Sequence, residues 1–396
     1  MKRIYNYLKK DAVLTISWVL AIISMLFIKP DKAYAGYIDW RSLGILWSLM
    51  IITKGYMQNG IFEKIGHALL ARTRKMWQLI AVLVGLNFFS SMIITNDVSL
   101  ITFVPFAIMM LKQCGRQELM IPVVVLQTIA ANLGSMLTPI GNPQNLYLHG
   151  LAGTGIGEFI MWLLPYTIAS ALLLVISILL IKNKNEIICI EDTDSEAAHN
   201  TSVPRVMAYS VLFVLALLVV ARVLTWYILA AAVLITVLLL EKNVLAKADY
   251  ALLLTFIGFF IFTGNMGRVE PVAHFLAGIV NGWELEAGII TSQCISNVPA
   301  ALLLSEFTDN IKNLAIGVNI GGLGTLIASM ASLISYKLYA NEVPEKKGKI
   351  FCRIYSLQYN ISSGAVCVYE IDITYGKSYI KQEGKKCMDV QVVEPS

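Results

Sequence analysis

Four short polar clusters interrupt the apolar sequence of this 396-residue chain. Two are Thr95-Asn96-Asp97 and Ser296-Asn297. The other two combine amides and hydroxyls with helix breakers: Asn132, Ser135, Thr138, Gly141, Asn142 and Asn145 in the first, and Asn319, Gly322 and Thr325 in the second. A side-chain amide both donates and accepts, so one residue can meet either a carboxylate or a cation. Asn96, Asp97, Asn132, Asn297 and Asn319 are the oxygen donors that suit Na⁺. Asp97 also puts a carboxylate into apolar sequence, where an acid is costly and usually functional. It can bind a cation, carry a proton, or cap the helix that follows it; these roles are compatible. The competing reading of the glycines and small residues is close helix packing, but amides gathered with helix breakers at matched positions favour a ligand site. No catalytic dyad and no Cys/His metal spacing appears, so an enzyme is not expected. The six cysteines read as free thiols. No cofactor is expected beyond a coupling Na⁺ or H⁺.

The elements that position these clusters are membrane helices. The chain is 57% hydrophobic and 14% charged, where a soluble chain carries about a quarter charged residues. Residues 12–28, 77–94, 119–148, 159–181, 206–221, 223–240, 250–267 and 313–336 hold no Asp, Glu, Lys or Arg. A bilayer crossing needs about 20 apolar residues. Nucleic acid is excluded as a partner by the shortage of charge, and the net charge of +5 fits basic loops on the cytoplasmic side. Lys2, Arg3, Lys9 and Lys10 ahead of the first apolar run, with Ala33-Tyr34-Ala35 after it, imitate a signal peptide. The run is longer than such a peptide needs, and it reads as a first helix with a cytoplasmic N-terminus. Lys64, Arg72, Arg74 and Lys75, then Lys112 and Arg116, then Lys242 and Lys247, fall on the same side of this path, and Gly153 on the other.

The tips and breaks lie where full helices do not fit. The arm 98–111 after Thr95-Asn96-Asp97 has 14 residues and contains Pro105, about 21 Å of helix against a hydrocarbon core of about 30 Å. The arms around Ser296-Asn297-Val298-Pro299 are shorter still. Both regions read as re-entrant hairpins, tolerated at membrane depth only when buried in protein or lining a wet cavity. The run 119–148 contains Pro139 and Pro143 with Gly134 and Gly141, so it breaks near its middle. Gly317 to Thr325 breaks in the same place. Half-helix N-termini at such breaks favour an anion, and freed carbonyls suit Na⁺. Lys54, late in its helix, reads as a snorkelling side chain. His67, His149, His199 and His274 read as loop or interface residues.

The two halves echo one another. Gly60-x-x-Glu63-x-x-x-His67-x-Leu69 matches Gly267-x-x-Glu270-x-x-x-His274-x-Leu276; Thr95-Asn96 matches Ser296-Asn297; and Asn132 to Ile140 matches Asn319 to Ile327, all in one order. The predicted fold is all-α, a polytopic membrane protein of two inverted repeats with re-entrant hairpins and broken helices. The expected divisions are a first transmembrane helix in 1–36, a first repeat in 37–181, a cytoplasmic linker in 182–205, a second repeat in 206–340 and an atypical tail in 341–396.

At Thr95 to Pro105, Asn132 to Asn145, Ser296 to Ala300 and Asn319 to Ser329, the sequence resembles the ion transporter superfamily, and within it the citrate-transporter-like, anion-permease branch. Divalent-anion/sodium symporters, arsenite permeases and NhaD-type antiporters are related groups. The resemblance covers roughly residues 10–340. It implies a scaffold part and a mobile transport part that moves as an elevator, and a homodimer in the cell membrane. In the dicarboxylate branch Ser-Asn-Thr tips contact substrate carboxylate and Na⁺; here the Asn and one hydroxyl of each tip carry over, while the third positions are Asp97 and Val298. The resemblance also implies a further membrane helix after Lys337. Residues 345–396 hold no uncharged apolar span long enough, and a frameshifted or truncated end and a divergent cytoplasmic tail both remain open. The expected function is secondary transport of a small anion, a carboxylate or inorganic oxyanion, coupled to Na⁺ or H⁺. A Na⁺/H⁺ antiporter, an arsenite permease and a non-transporting membrane receptor are the alternatives.

Overall fold

The computed structural model describes residues 12–61, 73–181 and 202–343, with 64, 65, 68, 186, 350 and 356–358. Glu63, His67, Leu69 and His199, most of the 182–205 linker, four of the cysteines (Cys189, Cys352, Cys367 and Cys387) and nearly all of the tail beyond 343 lie outside the described residues. The described elements are helices. The first half holds α1 (Ala12–Phe27), α2 (Trp40–Gln58), α3 (Met76–Ile94), α4 (Asn96–Gln113), α5 (Met120–Ser135), α6 (Pro143–Ala152) and α7 (Ile156–Leu179). The second holds α8 (Val203–Val220), α9 (Trp226–Leu240), α10 (Tyr250–Gly267), α11 (Glu270–Val280), α12 (Glu284–Ile295), α13 (Asn297–Leu304), α14 (Ile311–Gly321) and α15 (Met330–Glu342). Among the described residues, five segments are long and apolar enough to cross a membrane: Met76–Ile94, Gln117–Ser135, Ile156–Leu179, Val203–Val220 and Tyr250–Gly267.

The distribution of polarity is that of a protein in hydrocarbon. Asn87, Gln127, Asn145 and Asn265 are buried, while Leu26, Leu172, Leu180 and Leu239 face outward. In water the reverse would be favoured. The buried amides bond inside the bundle: the Asn265 Nδ2 donates to Ser24 Oγ at 2.9 Å and to Tyr34 Oη at 2.8 Å.

Close contacts fix the helix directions. Gly258 and Asn265 of α10 meet Ser17 and Ser24 of α1 in the same order, and Arg268 pairs with Asp31 at 2.8 Å where both helices end, so α1 and α10 run parallel. On α2, Gly44 lies against Trp226 at the start of α9, and Gly55 against Tyr209 early in α8. Arg41, at the start of α2, donates to the Val219 carbonyl at the end of α8. Helix α2 is therefore parallel to α9 and antiparallel to α8. Gly264, late in α10, lies against Tyr37 just ahead of α2, while Lys54, late in α2, shares a cavity with Asp249 at the start of α10, so α2 and α10 are opposed.

Charged helix ends gather at opposite poles. Lys112 at the end of α4 pairs with Glu342 at the end of α15 at 2.6 Å. Arg116 pairs with Glu186, whose carbonyl accepts from Met76 N–H at the start of α3. Lys75 and Lys112 thus share a pole. Gly153 lies beside Arg222 at the other, where Arg222 donates to the Gly150 carbonyl at 3.1 Å.

Both expected breaks are present, and the hairpins differ from each other. Helices α12 and α13 have 12 and 8 residues, about 18 and 12 Å, too short to span. Helices α3 and α4 have 19 and 18 residues, about 28 and 27 Å. The arm expected to cover 98–111 is longer because Asn96 and Asp97 form its first turn and Lys112, held by Glu342, its last. Helix α11 was not anticipated as a separate element; Pro271 at its start and Gly282 at φ +86 shortly beyond its end delimit it.

Candidate functional site

Each hairpin tip turns on one residue in a conformation that L side chains rarely adopt. Thr95 has φ 76 and ψ 151, and Ser296 has φ 80 and ψ 152. Such backbone costs about 1–3 kcal/mol and persists where its surroundings impose it. The same bonds impose it twice. Asn96 N–H donates to the Gly141 carbonyl at 3.2 Å, and Asn297 N–H to the Ala328 carbonyl at 2.9 Å. The Asn96 Oδ1 accepts from Asp97 N–H, and the Asn297 Oδ1 from Val298 N–H, each at 2.9 Å.

The breaks repeat in the same detail. Thr138 Oγ1 donates to the Met92 carbonyl at 2.5 Å, and Thr325 Oγ1 to the Gln293 carbonyl at 3.1 Å. Gly141 N–H returns to Thr138 O and Ala328 N–H to Thr325 O. Asn142 then caps α6 by accepting from Asn145 N–H, and Ser329 caps α15 by accepting from Ala331 N–H. Each break is thus stapled to the end of the hairpin arm preceding its tip. The staples use the hydroxyls of Thr138 and Thr325, so their role is positional. Gly141 admits no side chain, because a Cβ there would lie 2.0 Å from the Ser135 carbonyl oxygen.

The two halves meet through amides. Asn132 Oδ1 accepts from Asn96 Nδ2 at 3.1 Å and from Ser329 Oγ at 2.8 Å. Asn319 Oδ1 accepts from Asn142 Nδ2 at 3.0 Å, and its Nδ2 donates to Asn145 Oδ1 at 2.6 Å and to the Ala315 carbonyl at 2.7 Å. The cap of each break therefore reaches the asparagine of the other break. Ser135 joins by donating to the Asn132 carbonyl and accepting from Asn142 Nδ2. Gly322 lies beside the Asn297 carboxamide, which a Cβ would meet at 2.9 Å.

A cavity of about 110 Å³ opens against this network. Thr95 and Asp97 at the start of α4, Pro143 at the start of α6 and Met330 at the start of α15 line it, with Lys54 and Thr53 from α2 and Asp249 ahead of α10. A small recess beside it is lined by Ser296, Val298 and Pro299 together with Asp249 and Met330. The N-termini of α4, α6, α10 and α15, each carrying about half a positive charge, thus meet at the cavity, and that of α13 at the recess beside it. Asp97 makes no capping bond there: its Oδ1 is buried without a partner. Asp249 is engaged, accepting from Leu252 N–H at the start of α10. Lys54 touches Met57 Sδ at 4.0 Å and forms no ion pair among the described residues. Of the five residues suited to Na⁺, the four asparagines have their side-chain oxygens in hydrogen bonds, which leaves Asp97 as the open oxygen donor. Among the described residues no cluster of His, Cys, Asp or Glu could hold another metal.

Of the site residues read from the sequence, Thr95 and Asp97 line the cavity and Ser296 the recess, while Asn96, Asn132, Ser135, Asn142, Asn145, Asn297 and Asn319 take part in the hydrogen bonds described above. Lys54, expected to snorkel, lines the cavity. His149, expected at a loop or interface, is fully buried and packed edge-to-face on Phe159, because α6 carries it into the bundle. Sequence reasoning missed Asp249, Gln144, Ser329 and Gln293. Asp249 had a signal: it caps α10 in the way that Asp39 caps α2, accepting from the N–H three residues on. Ser329 had one too, as the partner of Asn142 in the repeat.

Residues 8–320 match the protein family described as "Citrate transporter". An uncharacterized transporter of Methanocaldococcus jannaschii is 32% identical over 325 residues, which cover 82% of this chain and 87% of that protein. The inner membrane protein YbiR of Escherichia coli is 29% identical over 341 residues, covering 81% and 86%. The silicon efflux transporter LSI3 of rice is 30% identical over 152 residues, covering 38% and 30%. With a family match over most of its length and an all-helical, inside-out bundle, this chain belongs to the citrate transporter family and is a multi-pass membrane transporter, not an enzyme.

Proposed function

We propose that the protein is a secondary active carrier that moves a small anion, a carboxylate or inorganic oxyanion, together with Na⁺ or H⁺. The observation that carries this reading is the cavity at the tips and breaks. It offers an ammonium, Lys54, and a carboxylate, Asp97, that are not paired with each other. The helix N-termini at the cavity add positive potential that favours an anion. A site with both signs of fixed charge recognises an anion and a cation at once, which is what coupling requires.

The rest of the reading draws on the doubled geometry for the repeats, on the basic loops for the orientation and on the family resemblance for the elevator and the homodimer. Residues 37–181 and 206–340 form two inverted repeats, supported by the matched tips, staples and caps and by the opposed directions of α2 and α10. Helices α2, α8 and α9 serve as a scaffold, and the hairpins with their broken helices move against it as an elevator, in a homodimer. The N-terminus lies in the cytoplasm, the pole of Lys75 and Lys112 is cytoplasmic, and the membrane is the inner or plasma membrane.

Uptake into proteoliposomes of citrate, succinate, sulfate and arsenite, under imposed Na⁺ or proton gradients, tests the reading. Cation-dependent accumulation of an anion is the expected result. Cation exchange with no anion moved would replace it with an antiporter. A second reading, handling of uncharged oxyacids, draws on relatives named as a silicon efflux transporter and a putative arsB transporter. Arsenite movement independent of either gradient would favour it.

A further inference from the structure

We propose that the tail supplies an amide that the second break lacks: Gln358 ties the two sides of that break together, as Asn145 does for the first, and so positions the Asn297 tip and the start of α15 at the cavity.

The first break closes itself. Asn145, on the first turn of α6, donates from Nδ2 back across the break to the Met136 carbonyl at 2.8 Å and to the Thr138 carbonyl at 3.3 Å. Between them, Leu137 N–H closes on the Gly134 carbonyl at 3.2 Å.

The second break has no such amide of its own. Asn132 matches Asn319 and Asn142 matches Ser329, so Ser332 stands where the first half has Asn145. A serine side chain ends where an asparagine amide begins, and it does not reach back over the break. Gly324 stands where the first half has Leu137, with φ +132. The Gly321 carbonyl, counterpart of the Gly134 acceptor, is taken by Gln293 Nε2 at 2.7 Å. Gly324 is buried, and a buried N–H left without a partner is costly. Gln358 meets both needs. Its Oε1 accepts from Gly324 N–H at 3.1 Å, and its Nε2 donates to Ser332 Oγ at 2.9 Å. Gln358 and Ser332 are both fully buried. Two more tail residues anchor the same segment: Ile350 belongs to the hydrophobic core, and Leu357 packs against it.

The stretch between Gly324 and Ser332 carries groups that the site uses. The Ala328 carbonyl accepts from Asn297 N–H at the tip, Ser329 Oγ donates to Asn132, and Met330 lines the cavity. One amide gripping both ends of this stretch fixes its shape. Gln358 acts through these groups, as a positioning residue.

The test uses the full chain in lipid nanodiscs and reads backbone hydrogen exchange at both breaks. Gln358→Ala should speed exchange at Gly324 roughly 5- to 150-fold, the loss of one satisfied buried N–H, and leave the first break unchanged. Adding Ser332→Asn should restore slow exchange, because it gives the second break the amide that Asn145 gives the first. If Gln358→Ala alone does not fold, recovery of folded protein in the double variant is the supporting result, and failure of both to fold overturns the inference. Uptake into liposomes of citrate, succinate, sulfate and arsenite under a Na⁺ or proton gradient supplies a second readout. Gln358→Ala should raise the apparent KM of a transported probe roughly 5- to 150-fold, and Ser332→Asn should bring it back; a tail that served stability alone would lower the unfolding temperature and leave KM as it was. Unchanged exchange at Gly324, no restoration by Ser332→Asn, or an unchanged KM overturns the inference. If none of the four probes is driven by either gradient, the carrier reading falls, and the exchange result still decides this one.

Discussion

At the scale of single residues, the site depends on one unpaired carboxylate and on backbone approaches that only glycine permits. Asp97 Oδ1 is buried and unpartnered, so it is the group on which a coupling cation or proton would act. Asp97→Asn keeps the shape and removes the charge. Its expected outcome is a correctly inserted protein that loses cation-dependent uptake, measured in liposomes with and without the gradient; unchanged rate and cation dependence would remove Asp97 from the coupling role. Gly134 serves packing. A Cβ there would lie 2.1 Å from the Phe88 carbonyl oxygen, and at the matching Gly321 it would lie 2.7 Å from Ile289 Cα. Each glycine lets a half-helix lie directly on the first hairpin arm of its own half. Gly134→Ala should therefore destabilise the protein by about 1–3 kcal/mol, read as a lower unfolding temperature.

At the scale of elements, the unit is a hairpin tip joined to a broken helix, and it occurs twice. The strained tips at Thr95 and Ser296 hold their conformation because the breaks supply carbonyls to Asn96 and Asn297. The breaks in turn are stapled by Thr138 and Thr325. Removing one amide from this network leaves its partners unsatisfied, at about 1–3 kcal/mol or roughly 5- to 150-fold in affinity. Alanine at Asn96, Asn132, Asn297 or Asn319 should raise the apparent substrate or ion constant in uptake assays. Alanine at Asn313, on the first turn of α14 where the chain enters the half-helix, should have little effect. Equal and small effects at all five positions would assign the amides to packing alone.

At the scale of the whole molecule, helix directions and pole charges set the expected membrane topology. Single-cysteine variants at positions 75 and 112 should react with an impermeant reagent from the cytoplasmic side, and one at 153 from outside. Labelling of position 75 only from outside would reverse the orientation. The elevator reading predicts relative movement between α2 and α6. A Cβ on Gly150 would sit 3.2 Å from Ser42 Oγ, within reach of a disulfide. In a background lacking the native cysteines, Ser42→Cys with Gly150→Cys should stop uptake on oxidation and recover it on reduction. Full uptake with the bond formed would exclude movement at this contact.

Much of this architecture was legible in sequence because a bilayer leaves few choices. Uncharged runs must be helices, Pro143 and the glycines must break one, and the matched Asn-containing clusters marked where the breaks and tips fall. The sequence by itself therefore determined the fold class, the membrane setting and the residues of the tips and breaks. It did not determine what faces what. Lys54 could equally have reached an interface along its flexible stem, and only the placing of α2 beside the starts of α4 and α10 turned it into the cavity with Asp97 and Asp249. Asn132 and Asn319 read alike in sequence, yet tertiary contacts satisfied one amide fully and left the other with a free donor. Such differences arise between residues roughly 180 positions apart, where no local propensity or spacing carries information and only the folded bundle brings the groups into hydrogen-bonding distance.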